Sequence, residues 1–103
     1  MKTAMKWEKP MHHVFYSRKA LDNSTVIETT VRSEPATIEG ENSEVYSFRV
    51  DLEYGDELSH DEVRGVTSVR ETAEKLFDLL SSCNVFPCHL REVTEDFLVS
   101  CGS

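Results

Sequence analysis

The chain has 103 residues, of which 39% are hydrophobic, a net charge of −8 and three cysteines. That length suits one domain with a core of useful size, and no apolar run nears the roughly 20 residues that span a bilayer. An acidic field repels phosphates, so neither a membrane nor a nucleic acid is an expected partner.

Residues 1–10 carry Lys2, Lys6 and Lys9 against Glu8, and end in Pro10. No apolar leader follows these lysines, so the segment reads as an N-terminal tail rather than a signal peptide. Trp7 is its one large apolar group and a natural anchor. Residues 11–100 read as a single α+β domain, with Met11 marking its start.

His12–Lys19 is rich in strand formers, and Ala20–Ser24 has turn chemistry. Thr25–Arg32 is largely β-branched, and the two segments predict a β-hairpin. Ser33–Glu44 holds Pro35, Gly40 and Asn42 among acidic residues, which predicts a loop with room for a brief extended piece at Ala36–Ile38. The clearest strand follows. Tyr46, Phe48, Val50, Leu52 and Tyr54 alternate with Ser47, Arg49, Asp51 and Glu53. This alternation predicts a sheet with one buried face and one face in water. Asp61–Val66 predicts a short fourth strand, in which Gly65 marks a bulge or an edge.

Val69, Ala73, Leu76, Phe77 and Leu80 form a single stripe at helical spacing. Ser68 and Glu71 have capping-box spacing, which sets the helix start at Ser68. Asn84 is suited to a left-handed C-cap, so the helix ends near residues 82–84. Pro87 suits the first turn of a second helix, whose stripe is Leu90, Val93 and Phe97. Phe86 lies at the corner between the helices. The predicted fold is therefore α+β: an antiparallel sheet of three to four strands, followed by a C-terminal two-helix hairpin packed on its apolar face. Phe48, Val50, Leu52, Phe77, Leu80, Leu90, Val93 and Phe97 are its expected core.

Val85, Pro87, His89-Leu90, Val93 and Asp96-Phe97-Leu98 resemble the C-terminal motif of a family of short Gram-positive bacterial proteins known as a domain of unknown function. The resemblance extends over the last sixty or so residues through Tyr46–Tyr54 and Val66-Thr67-Ser68; residues 1–40 lie outside it. It implies a bacterial cytoplasmic protein and assigns no activity.

Cys83, Cys88 and His89 gather at the helix corner. Their C-x4-C-H spacing lacks the two close pairs of a zinc site. The ordinary reading is two small thiols and a surface histidine. As a metal- or thiol-dependent site, the corner is the alternative to the leading reading. Cys88 has no base placed beside it, because adjacent helical residues point about 100° apart. His12 and His13 fall on opposite strand faces and do not chelate together. Glu92 and Asp96 share a helical face, as carboxylates on solvated helices commonly do. With four scattered glycines there is no phosphate-binding loop. No catalytic residue, metal or cofactor is expected.

Ten carboxylates and one arginine, Arg49, lie between Glu34 and Glu62. They read as a solubilising surface, or as a docking face with Glu39, Glu41 and Glu44 as its contact residues. The leading functional expectation is a small non-enzymatic interaction or regulatory module. It would meet a protein partner, basic or a second copy, through a sheet edge or the acidic face. An odd number of cysteines and no leader point to the reduced cytoplasm.

Overall fold

The computed structural model describes residues 13–101. The calls made on residues 1–12, including the tail, Trp7, Met11 and His12, fall outside them. Four strands run in order as an antiparallel meander: β1 (His13–Asp22), β2 (Thr25–Ile38), β3 (Glu41–Tyr54) and β4 (Glu57–Thr67). Then come α1 (Arg70–Ser82), a 3-10 turn over Pro87–His89, and α2 (Leu90–Cys101). This is the α+β architecture that the alternation in β3 and the two helical stripes predict.

Local chemistry sets the turns. The Asp22 carboxylate accepts the Ser24 backbone N–H at 2.9 Å, closing the β1–β2 turn. This bond, with further ones from Thr25 and the Ser24 hydroxyl, holds the Asp22 carboxyl below the usual carboxylate range. At the β2–β3 turn Glu39 and Gly40 both have positive φ, 51° and 81°. A two-residue hairpin turn of the primed type needs that geometry.

The segment 33–44 is not a loop. β2 and β3 pair without a break from Thr25↔Tyr54 to Ile38↔Glu41. Pro35 is tolerated for a geometric reason. A two-residue turn makes Ile38↔Glu41 a hydrogen-bonded pair, so Pro35↔Glu44, three pairs away, falls at a non-hydrogen-bonded position. Its missing N–H therefore costs no bond to β3. Among the described residues, β1 pairs along β2 only as far as Arg32, and β4 pairs along β3 only as far as Tyr46. Beyond those points the described residues leave β2 and β3 as a two-stranded arm. Glu41 and Glu44 are thus ladder residues, and Glu39 is in the turn.

The helix-facing row of the sheet is Phe48 and Val50 of β3 with Ile27 and Val31 of β2. Ala73, Leu76, Leu80, Val85 and Leu90 pack against it, all buried. Leu52, Phe77, Val93 and Phe97 are only partly buried at its margin. Phe77 stacks on Phe15 of β1, ring centroids 5.3 Å apart. Tyr54 is 61% exposed because β3 runs past the helices at that end.

The bulge expected at Gly65 is present: the β3–β4 register shifts between Phe48↔Val63 and Tyr46↔Thr67. Gly65 has φ 62° and donates its N–H to Ser47 Oγ at 3.0 Å. The capping box is absent. Val69, extended and 52% exposed, is the N-cap of α1, and no side chain caps it. Its N–H donates to Thr67 Oγ1 at 3.1 Å. Ser68 is therefore one residue too early to cap, while Glu71 still complements the helix dipole. The C-terminal expectation holds. Asn84 is left-handed with φ 52°, and Val85 N–H reaches Leu80 O at 3.1 Å, as in a Schellman ending. Lys19 of β1 donates to Ser81 O and to Asn84 Oδ1, placing a cation at the negative end of α1.

Phe48→Ala should lower stability by about 3–5 kcal/mol, the usual cost of emptying a fully buried Phe site. Val69→Ala should change it by less than about 0.5 kcal/mol, as exposed positions do. Urea denaturation measures both; equal losses would mean that the stripe faces the other way.

Candidate functional site

Three surfaces and the helix-free face of the sheet carry groups of chemical interest. The first surface is the arm. Glu39, Glu41 and Glu44 are exposed there, and Ile38 beside the turn is 42% exposed. Among the described residues no cation pairs with these three glutamates. Glu34, Asp51, Asp61 and Glu62 of the same acidic stretch are paired. The acidic segment thus has a paired part that reaches Glu34 at the root of the arm and a bare part toward the arm tip.

The second surface is the helix corner. Cys83 closes α1, Cys88 lies in the 3-10 turn, and both are exposed free thiols. His89 Nδ1 stands 3.7 Å from Glu92, both at the surface. Among the described residues no three His, Cys, Asp or Glu side chains are grouped to hold a metal. Phe86, at the same corner, is 36% exposed and turns toward the end of the sheet.

There it lines the third surface, a cleft of about 440 Å³ at the far end of β2 from the arm tip. Leu21, Leu52, Tyr54, Leu58 and Phe86 supply apolar walls, with Asp22 and Glu57 among them. The only hint of it in the sequence is that apolar residues flank three separate turns.

The helix-free face carries a ladder of charge. Arg49 grips Asp51 with two bonds at 3.0 Å and stands 3.6 Å from Glu62. Arg64 pairs with Glu62 at 3.0 Å and with Glu34 at 3.6 Å; Arg32 meets Glu34 at 3.4 Å. Arg18 approaches Glu28 at 3.5 Å, and the Tyr16 hydroxyl donates to the same carboxylate. Partial burial, then the hydrogen bond to Glu28 and its charge, push the Tyr16 phenol up to about 12.

Residues 15–100 match the family of unknown function DUF6514. The chain belongs to that family. The DUF6514 match starts well upstream of the Tyr46–Leu98 stretch in which the motif is legible, and so takes in β1 and β2. No curated protein and no solved structure matches the chain. Among the described residues of this DUF6514 protein, no helix is long and apolar enough to cross a membrane.

The tyrosine titration is a direct check on the charge ladder. Ultraviolet titration of the native protein should show a phenol ionising near pH 12 that is missing in Tyr16→Phe. An unfolded phenol ionises near 10. The stabilising contact is thus complete below pH 10 and is lost as pH rises toward 12. A Tyr16 that ionises near 10 in the native state would mean the contact with Glu28 is not made.

Proposed function

We propose that this protein is a non-enzymatic interaction module whose docking element is the β2–β3 arm, and that its partner is a basic protein. The observation that carries this reading is the bare acidic arm: Glu39, Glu41 and Glu44 on a two-stranded ladder extending past both neighbouring strands. A two-stranded ribbon alone is marginal in water, and this one is held by its root in the sheet. Its two edges carry unpaired backbone groups among the described residues, which a partner strand can take up. Unpaired carboxylates steer a basic partner and repel nucleic acid. The exposed free thiols Cys83 and Cys88 support a reducing, cytoplasmic compartment.

The test replaces Glu39, Glu41 and Glu44 together with glutamine. The melting temperature should stay close to the parent's. Association with a partner captured on the parent protein should slow, and its salt dependence should flatten. For the parent, association should weaken as ionic strength passes roughly 0.1 M, where the Debye length is about 10 Å. Equal rates with equal salt slopes would remove the docking role and leave the arm a solubilising ribbon.

A further inference from the structure

The cleft at the end of the sheet away from the arm is held in shape by its own turns. Asp22, Thr25, Tyr54 and Glu57 form one cross-strand row, β1 through β4, at the last pairs before those turns. The Gly55 backbone N–H donates to Ser24 O at 2.7 Å and ties the β1–β2 and β3–β4 turns together. On the helix side, Phe86 stands between Val85 and Pro87, both buried, and its carbonyl accepts the His89 N–H at 3.0 Å. A fixed backbone thus holds the Phe86 ring outward. Of the eight large hydrophobic residues exposed among those described, four, Leu21, Tyr54, Leu58 and Phe86, stand around this one cleft. Exposed apolar side chains gathered in one place mark a binding surface, whereas scattered ones need no explanation.

We infer that this cleft is a binding site for a small organic cation, an ammonium ion carried on an apolar body. Three observations select that class. The first is size and lining. A volume of about 440 Å³, walled mostly by apolar side chains, is that of a small-molecule site. The second is charge. Asp22 and Glu57 are the charged residues of the lining, and both are acidic. Among the described residues no cation pairs with either of them. Lys19, two residues before Leu21, gives its ammonium to Ser81 O and Asn84 Oδ1 at the end of α1. Bonds from Ser24 and Thr25 hold the Asp22 carboxyl below the usual range, so it is ionised at neutral pH. An anion would meet two carboxylates here and no basic group of the lining. The third is position. Glu57 lies directly opposite Tyr54, so one ammonium can meet a carboxylate and the face of a phenol together. Phe86, Leu21 and Leu58 then cover the apolar body. The cleft lies at the Thr25 end of β2 and the arm turn beyond Ile38, about 40 Å apart at strand rise. The site therefore stands independently of the docking role proposed for Glu39, Glu41 and Glu44.

Phenethylammonium is a probe with both parts, and hydrocinnamate is its anionic counterpart. In amide NMR spectra of the full chain, phenethylammonium should shift Gly55, Leu58 and Phe86 saturably, and hydrocinnamate should not. Glu57→Gln should weaken binding several-fold, the worth of a partly exposed charge contact. Phe86→Ala should weaken it about tenfold, through loss of an apolar wall. Circular dichroism should be unchanged in both variants. Replacing Glu39, Glu41 and Glu44 with glutamine should leave probe binding as in the parent, so the arm and the cleft are read separately. Absence of saturable shifts up to about 10 mM probe, where even an inefficient ligand of about nine heavy atoms half-fills its site, would overturn the inference. Equal binding of hydrocinnamate would also overturn it, because the two carboxylates would then select nothing. So would movement of the same amides on dilution of the protein alone, which assigns the apolar walls to a second copy.

Discussion

The structure depends on one packing constraint, the covering of Phe48 and Val50 of β3 by α1 and α2. Both side chains are wholly buried in the middle of the sheet. Burial of an aromatic or branched side chain contributes about 1.5–3 kcal/mol, and a small domain has few such sites. The row fixes the register of β2 and β4, because a slip of one residue would turn the whole row toward the other face. It also fixes where α1 sits. Lys19, on the helix-facing side of β1, then lies at the end of α1 and supplies the basic charge that the last turn of that helix lacks.

How far the fold was legible follows from which signals are local. The alternation from Tyr46 to Leu52 and the stripe Ala73, Leu76, Leu80 are local and strong, and they located the core. Asn84 signalled the end of α1 because few other residues accept positive φ. The arm was not legible. Pro35, Gly40 and Asn42 are loop signals taken singly, and only the pairing phase set by the turn at Glu39-Gly40 makes Pro35 harmless. The capping box failed because α1 begins one residue later than the motif implies, with Val69 rather than Ser68 as its N-cap. The cleft was not legible either, since its walls come from three turns that meet only in space. The motif at Val85–Leu98 pointed to a family of unknown function, and the family match reaches back through β1 and β2.

The acidic stretch from Glu34 to Glu62 reads as uniform in sequence and is not uniform in space. Strand alternation sends Asp51 and Glu62 to the helix-free face, where arginines from β3 and β4 meet them. Among the described residues, Glu34 at the root of the arm still meets Arg32 and Arg64, whereas Glu39, Glu41 and Glu44 nearer the tip meet no cation. The same composition yields a paired lattice on the helix-free face and an open one toward the tip.

The unbroken β2–β3 pairing governs how the arm can change length between relatives. Fourteen residues of each strand pair without a bulge. An insertion confined to one strand would force a bulge or turn every residue beyond it to the other face. Lengthening is smooth only when both strands grow together. One added pair moves the tip by about 3.3 Å but reverses which face its side chains occupy; two pairs move it by about 7 Å and restore them. Lengths of this ribbon that preserve its outward chemistry should therefore be spaced in steps of two pairs, a quantised ruler built from strand geometry alone.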